Sequence, residues 1–470
     1  MEANNNLQDL SHVRINTPSG GMVLLLNDGA IITAEDRAML QALHSRNPKG
    51  VEEHLKTLAS KGSGQLMASY YVGYNHKSIG DCGFGTLFIE GVSMLCAKAI
   101  QDSMLYNGQE CSTRYIDFSS QPFFDSLDYK LQDNILTSKL RQFYLDNFDN
   151  LVEHLISQNP SQDDPNTPQY KTYLKAIKAR AFDVMRGFLP AGATTNMAWT
   201  GNLRQFADHL VVLRNHPLLE VRETGEICRQ VLNEGYTNSF GQKKYLKSEE
   251  YYHNFYNKSY YLEAAKIRNF LGYTSEDNYV AVVNEGIDEE ALKEFFNDSI
   301  MNRPAKTELP KKVGICGTNS YYFELDFGSF RDIQRHRSVV QQMPLLETSC
   351  GFEEWYLDSL PDSIIQEAIE LLQDCETIID NLVNNGYLDR FNAQYLIPMG
   401  YKVPVWLSGD LPSLIYITEI RSSNTVHPTL QVKAQELGQI IASRYNIPIY
   451  CDGELNKFDT KRGSQDIVEK

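Results

Sequence analysis

Apolar residues recur at three- and four-residue spacings in four segments of the chain, and this spacing predicts helices with one apolar face. The pattern is most regular in the two segments nearest the C-terminus, which are strongly amphipathic. The four predicted helices cover residues 203–213, 217–233, 362–385 and 430–444.

Other stretches predict strands and loops between these helices. Residues 321–327, YYFELDF, alternate in polarity and predict a strand. Residues 86–105 have apolar positions that fit either a helix or a strand passing into one. Residues 158–168, QNPSQDDPNTP, are polar and predict a loop. The mixture indicates an α+β fold.

A series of short motifs occurs twice in the same order. Each series begins with a proline and continues with Trp, Gly-x-Leu, Arg and His-Pro-x-Leu-x-Val. The prolines are Pro190 and Pro398, and the arginines are Arg214 and Arg421. Each motif alone is weak, but their common order indicates that a whole domain has been duplicated.

The duplication predicts two diverged copies of one unit, each a sheet wrapped by helices, related by a pseudo-twofold axis. We place copy one at residues 1–235 and copy two at residues 305–470. A connecting region, rich in Tyr, Asn and Lys over residues 236–261, is placed at 236–304.

Composition narrows the class of protein. A chain of 470 residues is long enough for two domains, and its net charge of −16 disfavours a nucleic acid polymer as partner. No stretch of 18 apolar residues occurs, and residues 1–10 do not resemble a signal peptide. We therefore expect a cytoplasmic protein with no membrane partner. The eight cysteines include no CxxC pair, so reduced thiols and no metal site are expected.

Two segments contain polar groups suited to anions. Residues 110–115, ECSTRY, follow Gly108 and could form a phosphate cradle, although a simple polar turn has the same composition. Residues 334–337, QRHR, would need anionic partners if they were partly buried where a strand passes into a loop. A solvated basic patch is the alternative for this second segment.

Residues 71–118 and 180–225 resemble the flavin-dependent thymidylate synthases. The segments His76-Lys77-Ser78, FIEGVS at 88–93 and ECSTRY at 110–115 are similar to motifs of the N-terminal half of that family. The segments RGFLP at 186–190, WTGNLR at 199–204, Leu213-Arg214 and Glu220-Val221-Arg222 are similar to motifs of its C-terminal half. Copy two matches more loosely but keeps Arg-His-Arg at 335–337.

The resemblance implies specific roles for these residues. The catalytic arginines would be Arg421, directed toward the uracil, and Arg214. The residues implied to bind the substrate are Glu110, Cys111, Ser112, Thr113, Arg114, Arg186 and Arg335. The residues implied to bind the cofactor are His76, Ser78, Asn202, Arg204, Arg335, His336 and Arg337. Cys111 is not expected to be a nucleophile, since no histidine lies near it in the sequence.

The two copies have lost different parts of the family pattern. Copy one has residues near Asp102-Ser103-Met104 where the family has Arg-His-Arg, whereas copy two has Gln394 in place of Arg186. In the family, each active site draws residues from more than one subunit of a homotetramer. The complementary losses therefore predict one composite site between the copies, in a homodimer that is equivalent to a tetramer.

The resemblance implies methylation of deoxyuridylate to thymidylate. FAD would be the cofactor, with NADPH and methylene-tetrahydrofolate as co-substrates, and the protein would be a methyltransferase of nucleotide biosynthesis. Two alternatives stay open. One is flavin-dependent modification of another pyrimidine nucleotide, and the other is a protein that binds flavin or nucleotide without catalysis.

Overall fold

The structure is a computed structural model of the whole chain. It describes residues 12–26, 32–64, 67–73, 76–111, 118–127, 130–131, 134–240, 246–256, 263–274, 277–451, 454–460 and 463. The chain divides into two compact units, and the backbone passes between them several times. Unit 1 contains residues 1–112, 122–132 and 193–260, and unit 2 contains residues 113–121, 133–192 and 261–470.

Unit 1 is built on an antiparallel sheet of five strands in the order β1-β2-β3-β7-β4. A bulge between Glu90 and Val92 places Gly91 at a φ of 67°, a conformation that favours glycine. A separate two-stranded ribbon pairs β5 with β6. The strands are β1 (His12–Asn16), β2 (Met22–Leu26), β3 (Phe84–Ser93), β4 (Asn107–Glu110), β5 (Phe124–Asp125), β6 (Lys130–Leu131) and β7 (Thr194–Asn202).

Helices α7 and α8 pack against each other, and α8 also packs on β1 and β2. Helix α7 begins at the Asn202 cap, whose side chain accepts a hydrogen bond from the Gln205 backbone. The helices of unit 1 are α1 (Ala34–His44), α2 (Val51–Lys61), a π-helix (Met67–Gly73), α3 (Lys77–Gly80), α4 (Met94–Gln101), α7 (Leu203–Arg214), α8 (Leu219–Gly235) and α9 (Leu246–Phe255).

Unit 2 contains an antiparallel sheet of four strands in the order β10-β11-β9-β8. Its central strands have almost wholly buried side chains, with Tyr322 and Phe323 no more than 1% exposed. The strands are β8 (Ala281–Ile287), β9 (Gly317–Asp326), β10 (Val340–Gln342) and β11 (Lys402–Asp410).

Two long helices from the first half of the chain, α5 (Ile135–Gln158) and α6 (Pro168–Met185), belong to unit 2. There α5 packs on α14 (Asp362–Asn384). The helices of unit 2 are α5 (Ile135–Gln158), α6 (Pro168–Met185), α10 (Ala264–Leu271), α11 (Glu289–Met301), α12 (Phe327–Ile333), α13 (Glu354–Asp358), α14 (Asp362–Asn384), α15 (Arg390–Ala393), α16 (Leu411–Arg421) and α17 (Pro428–Tyr445). Short 3₁₀ turns lie at Arg186–Phe188, Lys311–Cys316, Thr348–Cys350 and Gln394–Leu396.

Within unit 2, residues 187–192 pair antiparallel with residues 395–400. The pairing is centred on a bridge between Pro190 and Pro398. Four backbone hydrogen bonds of 2.8 Å surround it: Gly400 N to Gly187 O, Met399 N to Leu189 O, Ala191 N to Ile397 O, and Gly192 N to Tyr395 O.

The patterns that predicted secondary structure are confirmed. The four helical segments correspond to α7, α8, α14 and α17, residues 321–327 contain the end of β9, and β3 passes directly into α4. The α+β fold class is therefore confirmed, with two antiparallel sheets. All eight cysteines are free thiols. In the part of the chain that the structure describes, no helix is both long and apolar enough to cross a membrane.

Candidate functional site

The predicted Arg-His-Arg segment lies in unit 2, where it meets the C-terminal end of helix α16. The segment follows helix α12, so its predicted position at the end of a strand is corrected to the end of a helix. Arg421, the last residue of α16, donates from Nε to His336 Nε2 at 2.8 Å and from Nη2 to the Asp332 carbonyl at 2.8 Å. These two hydrogen bonds fix the orientation of the Arg421 guanidinium.

The hydrogen bond from Arg421 fixes the protonation state of His336. A guanidinium can only donate, so Nε2 of the imidazole is the acceptor and the neutral ring carries its proton on Nδ1. Burial, reinforced by Arg421, lowers the pKa of His336 to about 3, although Asp332 acts in the opposite direction. The His336 ring also lies edge-on to Tyr416, with centroids 5.8 Å apart.

This low pKa predicts a pH dependence of stability. His336 stays neutral in the folded protein, whereas in the unfolded chain it binds a proton below pH ~6.5. Its contribution to the free energy of unfolding is therefore fully present above that pH and is lost as the pH falls toward 3. We expect His336→Gln to flatten the fall in unfolding free energy between pH 6.5 and 4, by at most about 1.4 kcal/mol per pH unit. Urea titrations across that range measure this slope. The exposed His76→Gln variant is the control, and equal slopes in His336→Gln and wild type would contradict the assignment.

Asp332 lies at the centre of the arginine cluster. Its Oδ1 is 3.8 Å from Arg335 Nη2 and 3.9 Å from Arg421 Nη1. Burial favours the protonated acid, but Arg335, Arg421 and Arg186 outweigh it and lower the pKa of Asp332. Arginines predicted from opposite copies of the duplication, Arg186 from copy one and Arg335 and Arg421 from copy two, thus act on one carboxylate within unit 2.

The Arg186 side chain is buried, with unfilled hydrogen-bonding capacity. Its Nε and Nη2 atoms have no hydrogen-bond partner within the described residues, and its Nη1 lies 3.9 Å from Asp183 Oδ1. Burial lowers the pKa of this guanidinium, but Asp183, Tyr356 and Asp326 raise it overall. A buried cation with free donors is suited to an anionic ligand, because unpaired buried donors are costly.

A buried carboxylate beside Arg186 was not among the residues predicted from the sequence. Asp326 ends strand β9 and accepts hydrogen bonds from the Tyr356 hydroxyl, the Thr429 hydroxyl and the Ser329 backbone N–H. A signal for it exists: Glu324 and Asp326 stand in the otherwise apolar run YYFELDF, and acids on a buried strand require partners.

The predicted nucleotide loop is described only in part. Glu110 ends β4 in unit 1, where its Oε2 accepts a hydrogen bond of 2.6 Å from Gln101 Nε2. Cys111 is half-buried, and its backbone N–H donates to the Asn196 carbonyl at 2.8 Å. Ser112, Thr113 and Arg114 lie outside the described residues.

The predicted flavin residues of copy one all lie in unit 1. His76 and Ser78 are exposed on either side of the start of α3. The Asn202 side chain caps α7. The Arg204 side chain is 42% exposed. Its Nη1 lies 3.2 Å from Asp81 Oδ2, and its Nε lies 3.5 Å from Asp208 Oδ2. Asn202 and Arg204 therefore have partners within the chain. The His76 and Ser78 side chains are exposed.

Arg214, the counterpart of Arg421 in the repeat, has a different environment. It ends helix α7 and donates from Nη2 to Glu249 Oε1 at 2.7 Å, while its Nε lies 3.6 Å from Glu226 Oε2. Among the described residues, no carboxylate lies as close to Arg421, since its Nη1 is 3.9 Å from Asp332 Oδ1. Of the two predicted catalytic arginines, Arg421 is the one whose surroundings leave it available to an anion.

Fold and site together define an α+β protein with a partly buried arginine cluster suited to an anionic ligand. Residues 31–235 match the thymidylate synthase complementing protein family. This segment is less than half of the chain, and it includes Arg186 but not Arg335, His336 or Arg421. The match confirms the resemblance to the flavin-dependent thymidylate synthases and indicates a thymidylate synthase-like enzyme of nucleotide biosynthesis.

Similarity to other proteins extends beyond that segment. A UPF0159 protein of Chlamydia muridarum (strain MoPn / Nigg) is 24% identical over 78% of this chain and 76% of its own length. A UPF0159 protein of Chlamydia pneumoniae is 25% identical over 77% of this chain and 75% of its own length. A UPF0159 protein of Thermoplasma acidophilum is 23% identical over 78% of this chain and 84% of its own length. Each alignment covers more than residues 31–235, so it includes part of the second half of this chain.

Proposed function

We propose that the protein methylates deoxyuridylate to thymidylate in a flavin-dependent reaction, with methylene-tetrahydrofolate and NADPH as co-substrates. The observation that carries this proposal is the buried Arg186 guanidinium, whose Nε and Nη2 atoms have no hydrogen-bond partner among the described residues, beside the Asp332 cluster that includes Arg421. The family match supplies the reaction class, and the arginine cluster supplies an anion-binding environment for the nucleotide.

Arg421 is the residue that we assign to the uracil. Its Nε and one Nη2 hydrogen are directed at His336 and the Asp332 carbonyl, so the guanidinium is held before any ligand arrives. A preorganised cation stabilises negative charge as it develops on the uracil ring, because it needs no reorganisation during the reaction. In this proposal His336 orients Arg421 through a neutral ring nitrogen.

The exposed arginines of the same segment fit a flavin dinucleotide. Arg335 is 52% exposed and Arg337 is also exposed, so both guanidiniums can reach phosphate oxygens at the surface. A bound flavin would supply the redox chemistry of the reaction. The chain itself would bind the flavin phosphates through Arg335 and Arg337 and present Arg421 to the uracil.

The proposal includes a tandem duplication, which several features of the fold support. The strand orders β2-β3-β7-β4 and β8-β9-β11-β10 are equivalent, with β7-α7-α8 matching β11-α16-α17. The hydrogen bonds around Pro190 and Pro398 form two pairs that exchange under a shift of 208 residues, the difference between 398 and 190. Such self-complementary pairing is typical of a twofold relation between equivalent segments.

The counterpart positions support a single working site in each chain. Gln394, in place of Arg186, accepts from the Leu346 N–H and donates to the Phe391 carbonyl. Asp102, in place of an arginine, pairs with Lys98 at 2.7 Å. Both positions thus have intramolecular partners. The domain boundaries, the homodimer and the shares of Glu110, Ser112 and Arg114 in nucleotide binding stay predictions.

A direct test is incubation of the purified full chain with deoxyuridylate, methylene-tetrahydrofolate, NADPH and FAD. We expect a product heavier than deoxyuridylate by one methyl-for-hydrogen exchange, read by mass spectrometry, and growth of a thymidine auxotroph that expresses the chain. Replacement of deoxyuridylate by uridylate or deoxycytidylate is the control. Turnover of one of these alone would favour modification of another pyrimidine nucleotide, and bound flavin without any turnover would favour a binding protein.

A further inference from the structure

We propose that Tyr356 and Asp326 are positioning residues that hold Arg186 in place for the nucleotide. This inference rests on the proposed function, since it assigns Arg186 to an anionic ligand. It adds two residues that no sequence motif indicated, and it concerns contacts that all lie within unit 2.

Asp326 is held rigidly by three donors. Its Oδ1 accepts from the Thr429 hydroxyl at 2.6 Å, and its Oδ2 accepts from the Tyr356 hydroxyl at 2.7 Å and from the Ser329 N–H at 2.8 Å. Thr429 is itself bonded to His427 Nδ1 and to the Ser329 hydroxyl. Short hydrogen bonds to a carboxylate from several directions leave it one orientation.

The Arg186 guanidinium meets this carboxylate and phenol at Gly328. A Cβ atom at Gly328 would lie 3.3 Å from Asp326 Oδ2, 3.5 Å from the Tyr356 hydroxyl and 3.6 Å from Arg186 Nε. The three groups therefore lie around the same point, each within 3.6 Å of it. The negative charges of Asp183 and Asp326 raise the pKa of Arg186 against the effect of burial, so both carboxylates stabilise its charge.

The phenol keeps a fixed role as a donor. Burial and the neighbouring Asp326 raise the pKa of Tyr356 well above its ordinary value, so the hydroxyl retains its proton. Burial also raises the pKa of Asp326, whereas its hydrogen bonds to Thr429 and Tyr356 and the charge of Arg186 act in the opposite direction. Loss of the Tyr356 hydroxyl would thus remove one of the three donors that fix the orientation of the Asp326 carboxylate beside Arg186.

The positions equivalent to Arg186 and Asp326 in the proposed duplication are uncharged. Gln394 stands for Arg186, and Ser93, which caps the helix after β3, stands for Asp326. The end of β9 could therefore be capped by a neutral side chain, as the end of β3 is. The charge of Asp326 is thus not required for capping, which supports its assignment to Arg186.

The test compares Tyr356→Phe with Tyr401→Phe in the full chain. Both tyrosines are buried, and each donates to a carboxylate, Tyr401 to Glu376 at 2.8 Å. We expect Tyr356→Phe to raise the dissociation constant of deoxyuridylate about 3- to 10-fold. Flavin absorbance and kcat at saturating nucleotide should stay near the wild-type values. Tyr401→Phe should lose similar stability without weakening nucleotide binding.

A double-mutant cycle with Arg186→Gln separates the possible failures. If Tyr356 acts through Arg186, the double variant binds deoxyuridylate no more weakly than Arg186→Gln alone. Equal weakening in Tyr356→Phe and Tyr401→Phe, or additive losses in the cycle, would overturn the positioning role while leaving the proposed function intact. Normal nucleotide binding by Arg186→Gln would overturn both. If Tyr356→Phe does not fold, Thr429→Val removes another donor to Asp326 and serves in the same cycle.

Discussion

Replacement of Arg421 by glutamine is expected to slow thymidylate formation about 100- to 1,000-fold in kcat, the loss typical of a donor that stabilises charge in the transition state. The guanidinium is held by His336 and the Asp332 carbonyl, so its charge is directed before the ligand binds. Because it acts mainly on the developing charge, the dissociation constant of deoxyuridylate should change far less than kcat. Single-turnover kinetics with saturating nucleotide measures this difference.

The matched comparison is Arg214→Gln, which alters the equivalent helix end in unit 1. Arg214 is bound to Glu249 and lies near Glu226, so the variant should lose stability but keep kcat within the wild-type order of magnitude. A large loss of kcat in Arg214→Gln, with little change in Arg421→Gln, would reverse the assignment of the two arginines.

Replacement of Arg186 by glutamine is expected to weaken deoxyuridylate binding by about one to two orders of magnitude while bound flavin is retained. One charge-assisted hydrogen bond is worth about 1.5–3 kcal/mol, and the Nε and Nη2 atoms of Arg186 can provide such bonds. Glutamine is the residue that the chain itself has at the equivalent position, Gln394. Equilibrium titration with deoxyuridylate and the flavin absorbance give the two quantities.

Arg180→Gln provides the control for loss of a buried arginine, since Arg180 lies on α6, the helix that ends immediately before Arg186. Arg180 donates to Asn456 Oδ1 at 3.0 Å and lies over the Trp355 ring, so its loss affects packing at a different place. It should lower stability with unchanged nucleotide affinity. If Arg180→Gln and Arg186→Gln weakened the nucleotide equally, the effect would be one of general destabilisation.

The sequence was sufficient to predict elements in which each face is either clearly buried or clearly exposed to solvent. The passage of β3 into α4 follows from an alternating run that ends at Ser93, a helix cap. The amphipathic α14 shows a clear apolar stripe, since one face is buried and the other is solvated. By contrast, β8 lies at a sheet edge and is mostly exposed, so its AVVNEGI sequence shows no regular alternation that would distinguish it from the predicted connecting region.

The site could be predicted only where a motif contains its residues. Arg186, His336 and Arg421 belong to segments similar to the family, whereas Tyr356 belongs to none. Its role depends on a hydrogen bond to a residue 30 positions earlier in the chain. Which hydroxyl reaches a buried carboxylate is decided by tertiary packing, which local spacing does not encode. The same limit applies to Asp332, whose partners come from three separate segments.

The placement of α5 and α6 in unit 2 has a consequence for synthesis on the ribosome. Helix α6 ends at residue 185, and α14, on which α5 packs, begins at 362, a difference of 177 residues. At translation rates of 5–20 residues per second, α14 is synthesised roughly 10 to 35 seconds after α6 is complete. Helix α5 can pack on α6 during this interval, but its face toward α14 stays uncovered, so production of the protein should depend on chaperone capacity and elongation rate. A message truncated after copy one would yield a chain whose α5 never receives its packing surface.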